Sequence, residues 1–277
     1  MANLVGGFLL PHVPAIPLGG FGADPAQTKT VYDTFDLVAN KLKALQADTV
    51  VIIGDDHYES FGPHCIPSCL IVTGDIEISA HAQTLGLGSD PIANNEPLAQ
   101  HILQTGFGEG IDWAFAKSLG VDHSVGVPYH MSVKQHPEMR VIPVYLNDVV
   151  EPFIPSRRAY QVGESIRRAI DSFPGDDRVV IFGTGGISHW VGAPGMGIVN
   201  EEFDRDILDK VMAGDVESII ALSDQSVLEA AGNGALEIKN WLCALGAMQD
   251  ATPEFMAYEP IPQWVTGCGF AELKLAG

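Results

Sequence analysis

The stretch DPAQTKTVYDTFDLVANKLKALQADTVVII, residues 24–53, reads as a helix running straight into a buried strand. Asp24 offers a side-chain acceptor at the helix entry, and Pro25 fits the first helical position, where no backbone donor is needed. Val31, Phe35, Val38, Leu42 and Leu45 recur at helical spacing and give the helix one apolar face. Thr49–Ile53 follows at once as a strand. Upstream, residues 4–10 (LVGGFLL) form a first apolar strand stopped by Pro11. Strand, helix, strand in this order argues for a parallel or mixed sheet with helices on its faces.

The rest of the chain repeats the rhythm. Strands are expected at 69–73, at 140–146 (RVIPVYL) and at 178–182 (RVVIF), with a helix over 160–173. The final third turns helical. NEEFDRDILDKVMAG (200–214) opens on an Asn cap and ends at Gly, shorter helices follow near 215–222 and 224–231, and NGALEIKNWLCALGAM (233–248) gives a last helix with Asn233 as its cap. Segment 74–139 is rich in loops and resists assignment. The expectation is one α/β domain over residues 1–277: a three-layer α/β/α arrangement around a mixed or mostly parallel sheet.

Composition bounds what such a domain does. With 15 Lys+Arg against 35 Asp+Glu, the 277-residue chain carries a net charge of −20, a field that repels phosphate backbones and anionic membranes. Nucleic-acid and membrane partners are therefore not expected, and an anionic substrate would need a local basic pocket. Cys65, Cys69, Cys243 and Cys268 lack zinc-type paired spacing and read as reduced thiols. The apolar start MANLVGGFLLPHVP has no Lys or Arg before Lys29, so it reads as a strand rather than a signal peptide. The expected location is the cytoplasm.

In open α/β sheets, ligands bind beyond the carboxyl ends of the strands. His12 follows the first expected strand; Asp55, Asp56 and His57 follow the second; Thr184, Gly185, Gly186, Ile187, Ser188 and His189 follow RVVIF. One such histidine is an ordinary cap or surface residue. Three at equivalent positions suggest a site. Two imidazoles plus one carboxylate, with positions left open, suit a non-haem Fe(II) that must also bind substrate and oxygen. The carboxylate is Asp55, Asp56 or a distant group such as Glu237, which lies at the start of the apolar last helix and serves equally as a favourable charge there. GTGGIS (183–188) fails the dinucleotide pattern at Ser188, and GISHW (186–190) fails the hydrolase elbow at Trp190. His123 and His130 sit in a Gly/Pro-punctuated segment, GVDHSVGVPYH (120–130).

Taken in order, LLPHVP (9–14), GDDHYESF (54–61), VDHSVGVP (121–128), GTGGISHW (183–190) and GALEIKNW (234–241) resemble the class III extradiol dioxygenases, in particular the catalytic β-subunit of protocatechuate 4,5-dioxygenase. The resemblance continues through PIPQWVTGCGF (260–270). It implies that His12, His57 and Glu237 bind Fe(II), that His189 is the acid/base histidine, and that His123 lines the substrate pocket. The family's Asp-His-Gly loop reads Asp122-His123-Ser124 here, so a serine replaces glycine. The implied reaction inserts both atoms of O₂ into a catecholic, carboxylate-bearing ring and opens it to a muconic semialdehyde. Lys134, Arg140 and Lys239 are candidate counter-charges for that carboxylate. A small helical capping subunit or self-association is implied as the cover of the site. Two other readings stay open from the residues: a non-catalytic metal-binding scaffold, and a zinc hydrolase using a metal-activated water.

Overall fold

The computed structural model describes residues 1–276. The chain runs β1 (Asn3–Leu10), α1 (Pro25–Ala44), β2 (Thr49–Gly54), β3 (Cys69–Ile78), α2 (Ala80–Thr84), α3 (Glu96–Gly108), β4 (Ala114–Val121) and α4 (His123–Pro128). A π-helical turn, Tyr129–Val133, leads to β5 (Arg140–Leu146), α5 (Ser156–Ser172), β6 (Arg178–Thr184), α6 (Glu201–Met212), α7 (Val216–Ile220) and α8 (Asp224–Ala231). A 3₁₀ turn, Gly234–Glu237, enters α9 (Ile238–Ala247), and β7 (Thr252–Ile261) and β8 (Thr266–Lys274) close the chain.

The eight strands form one sheet in the order β4-β3-β5-β2-β6-β1-β8-β7. Its centre, β5-β2-β6-β1, is parallel, whereas β3 and β8 pair antiparallel to it. Helices cover both faces, so the central strands are apolar throughout. Val50 and Ile52 pack toward α1 with Phe8, Leu10, Val31 and Phe35. Val51 and Ile53 pack on the opposite face with α3, α5 and α9. The three-layer α/β/α expectation therefore holds. α1 begins as read: Asp24 Oδ1 accepts a hydrogen bond from the Ala26 backbone N–H, with Pro25 next to it.

Three expectations are corrected. Segment 74–139 holds the second half of β3, α2, α3, β4 and α4 rather than mainly loops. β4 (AFAKSLGV) is a half-exposed edge strand carrying Lys117, and edge strands lack a continuous apolar signal. The helical final third ends in the β7–β8 hairpin, whose Pro253, Pro260, Gly267 and Gly269 hide its strand character. Asn233 does not cap the last helix. Its side chain instead pairs with both backbone groups of Val191, at 2.9 and 3.1 Å.

Candidate active site

β2, β6 and β1 lie side by side and run the same way. Their carboxyl ends deliver His57, His189 and His12 to one edge of the sheet. Glu237 reaches the same point from the last residue of the 3₁₀ turn before α9. His12 Nε2 lies 3.2 Å from Glu237 Oε2; His57 Nε2 and His189 Nε2 lie 3.4 and 3.1 Å from Glu237 Oε1. Asp55 joins from the turn after β2, 3.8 Å from His12 Nε2 and 3.3 Å from His57 Nε2. Ligand atoms of His12, Asp55, His57 and Glu237 all fall within 4.8 Å of one another. Asp56, the third candidate carboxylate, turns away to accept from the Ser60 and Phe61 backbone N–H groups.

Hydrogen bonds around the cluster set the tautomers. The Thr184 hydroxyl points its single hydrogen at the Ile53 and Ser124 carbonyls. Its oxygen can then only accept from His12 Nδ1, at 3.1 Å. His57 Nδ1 donates to Asp122 Oδ1 at 3.1 Å, and the His57 backbone N–H donates to Asp122 Oδ2 at 2.9 Å. Both imidazoles therefore present a bare Nε2 to the centre, as metal-binding histidines do. His12 Nε2 and Asp55 Oδ2 are buried without any hydrogen-bond partner. Buried polar atoms are seldom left so, and a cation between them would satisfy both. The donor set of two imidazoles and carboxylates fits a divalent first-row metal.

The electrostatics agree with this crowding. Burial, reinforced by Glu237, pushes the Asp55 carboxyl up to about 6, although His57 and His12 oppose it. Burial also opposes ionising Asp122, yet the His123 and His57 imidazoles hold it well below the usual carboxylate range. His189 is buried, which disfavours its charge, but Glu237 outweighs this and raises it. His123 is lowered, chiefly by burial.

His189 is clamped by its own backbone. Its N–H donates to the Ala231 carbonyl and its C=O accepts from the Gly234 N–H. Gly234 must lack a side chain, because a Cβ there would sit 2.0 Å from His189 Nε2. Asp204 on α6 fixes the loop from behind, accepting from the Ser188 N–H at 2.7 Å and from the Tyr258 hydroxyl at 2.7 Å. Ser124, the departure from the family loop, is buried and donates to the Asp55 carbonyl at 2.5 Å. Gly54 makes room for it, since a Cβ at Gly54 would lie 2.6 Å from Ser124 Oγ.

A cavity of about 230 Å³ opens onto the cluster. His12, His57, His123, His189 and Glu237, the five residues singled out by the family resemblance, form its floor. Its walls are Val13, Pro14, Val191, Trp264 and Val265, with Gly186 and Thr266 between them. Val265 holds a left-handed φ of 59°, costly for a β-branched residue, and Tyr58 beside His57 holds 62°. His123 Nδ1 is 2.6 Å from Glu59, whereas His130 lies outside the lining.

None of the three candidate counter-charges enters the cavity. Lys134 pairs with Asp90, Arg140 with Asp177 and Asp48, and the buried Lys239 with Asp224 at 2.7 Å. Sequence reading did not anticipate Asp204, Thr184 or Trp264 as supports and walls. Each acts through a long-range contact that has no local motif.

Residues 6–269 match the family model described as the catalytic LigB subunit of aromatic ring-opening dioxygenase. The 2,3-dihydroxyphenylpropionate/2,3-dihydroxicinnamic acid 1,2-dioxygenase of Rhodococcus jostii is 26% identical, over 90% of this chain and 92% of its own. Its counterpart in Photorhabdus laumondii is 24% identical, over 91% and 92%. Among solved structures, an uncharacterized protein of Escherichia coli K12 superposes with a TM-score of 0.59 at 12% identity, over 97% of this chain and 99% of that one, a likeness of fold. The chain therefore belongs to the LigB family of aromatic ring-opening dioxygenases, enzymes of extradiol ring cleavage.

Proposed function

We propose that this protein is an Fe(II)-dependent extradiol dioxygenase that opens a catechol-type ring to a muconic semialdehyde. The observation that carries the reading is the convergence of His12, His57 and Glu237 on one point, with a buried, partnerless His12 Nε2 beside it. In this reading these three hold the metal. Asp55 backs them and is held in turn by Asn240 Nδ2, which donates to its Oδ1 at 3.0 Å. When bound, Fe(II) would supply Lewis acidity toward the diol and a path by which the ring's own electrons reach dioxygen.

The chain's own groups do the rest. Thr184 and Asp122 keep the His12 and His57 rings oriented with Nε2 inward. His189 takes the catechol proton at Nε2 and returns it as the ring opens, a two-way task that suits an imidazole. His123, anchored by Glu59, borders the ring and limits its sliding. Val13, Pro14, Trp264 and Val265 grip the ring faces and exclude water.

The acidic ring substituent implied by the family resemblance finds no cationic partner among the lining residues, so the proposal is confined to the catechol unit itself. We keep one catalytic domain over residues 1–277, supported by the single continuous sheet. Three of the four free cysteines are buried as thiols, which supports the reducing cytoplasm as the working compartment. A small helical partner or a second copy is proposed as cover for the mouth, where the lining residue Val191 is exposed. LigB membership favours ring cleavage over the zinc-hydrolase and scaffold readings.

The test is oxygen uptake by anaerobically Fe(II)-loaded protein offered a panel of catechols, gallates, aminophenols and dihydroxypyridines, with product spectra recorded. The expected outcome is stoichiometric uptake and a coloured ring-opened product from a catechol. Iron-replete protein that consumes no oxygen with any of them would reject the proposal.

A further inference from the structure

A substrate's ring needs somewhere to put its substituent, and the cavity wall decides what that substituent can be. Away from the imidazole and carboxylate floor, the lining is Val13, Pro14, Val191, Trp264 and Val265, with the Thr266 hydroxyl. All fifteen lysines and arginines lie in the described residues, and none lines the cavity. The imidazoles offer no spare positive charge either. His189 Nε2 already faces Glu237 at 3.1 Å, His123 Nδ1 faces Glu59 at 2.6 Å, and His57 Nδ1 faces Asp122 at 3.1 Å. With the metal on the floor engaged by the diol, a substituent carboxylate drawn into this space would be buried with no Lys or Arg to meet it, in a chain of net charge −20. Such burial is strongly unfavourable.

Neutral polar groups fare better. Thr266 lines the cavity, and its hydroxyl, held only by a long 3.4 Å contact to the Gly267 carbonyl, can donate or accept one hydrogen bond. A single hydroxyl donor satisfies an uncharged acceptor but only part of an ion's solvation.

Building on the catechol-dioxygenase reading, we propose that the ring substituent accepted by this cavity is uncharged: an alkyl, ester or amide catechol is preferred over the matching acid. This departs from the acids that the Rhodococcus and Photorhabdus relatives are named for. Val191 is the wall position that controls it. It lines the cavity yet is 47% exposed, so a long side chain there can be accommodated.

The experiment compares 3-(2,3-dihydroxyphenyl)propionate with its methyl ester on the Fe(II)-loaded protein, reading equilibrium binding under anaerobic conditions and kcat/KM in air. The ester is expected to bind about tenfold tighter or more, the cost of an unpaired buried carboxylate being at least that large. Val191→Arg is expected to shift the ratio toward the acid by about tenfold. Equal binding, preference for the acid, no binding of either, or an unchanged ratio in Val191→Arg would each overturn the proposal. An ester preference in binding with no turnover of either compound would sustain it while rejecting the dioxygenase reading on which it was built.

Discussion

At the scale of single residues, the site rests on short polar contacts that each make a distinct demand. His189 touches Glu237 but is held by its own backbone rather than by the metal cluster. His189→Asn is therefore expected to bind Fe(II) with wild-type stoichiometry while losing about a hundredfold or more in kcat, the usual worth of a positioned acid/base. Metal analysis beside steady-state kinetics reads both, and an iron-replete variant with full activity would refute the role. Ser124 makes a sharper demand on its neighbour. Its hydroxyl occupies the space where a Gly54 Cβ would be, 2.6 Å away. Gly54→Ala is expected to cost about 1–3 kcal/mol as an overpacking change. Adding Ser124→Gly should recover about 1 kcal/mol or more of that, measured as a coupling in chemical denaturation. Recovery stays incomplete because Thr184 Oγ1 also lies 3.1 Å from that Cβ.

At the scale of elements, the shape of the candidate site depends on pieces that lie outside it. α6 carries Asp204 under the 186–189 loop, and β7 carries Tyr258 to the same carboxylate. Asp204→Asn weakens the bond to the Ser188 N–H, and kcat is expected to fall about tenfold with iron content and KM little changed. Loss of iron instead would move Asp204 into the metal cluster. The same elements show what a sequence makes legible. The repeated strand–helix pattern located β1, α1, β2, β5 and β6, and with them three histidines at one sheet edge, because each central strand is a continuous apolar run. Glu237 needed the family resemblance, since 180 residues separate it from His57 and no spacing rule links them. The β7–β8 hairpin was not legible, because prolines and glycines interrupt it and its pairing partner β1 lies at the other end of the chain. The cavity wall stayed hidden for the same reason: Trp264 and Val265 meet Val13 only after the hairpin docks on β1.

At the scale of the whole molecule, the site gathers carboxylates in a chain already carrying −20. Asp55, Asp122 and Glu237 are all buried there. A divalent cation held there would relieve that repulsion and link metal binding to fold stability. Binding at a hundredfold excess over Kd adds about 2.7 kcal/mol. For a chain of this size that corresponds to a rise in Tm of about 5–10 °C. Chelation of the wild-type protein is expected to lower Tm by that amount, read by calorimetry, and to leave Glu237→Ala almost unmoved. An identical drop in both proteins would mean that the ion sits elsewhere.

In the proposed reading His12, His57 and Glu237 hold the metal, and both atoms of O₂ end in the opened catechol ring. Turnover of Fe(II)-loaded protein under isotopically heavy dioxygen, followed by mass spectrometry of the ring-opened product, tests it most directly. Both labelled atoms are expected in the product from the wild type, and no product from Glu237→Ala. A single labelled atom in product whose carbonyl is trapped before it exchanges with water, or undiminished turnover by Glu237→Ala, would contradict it.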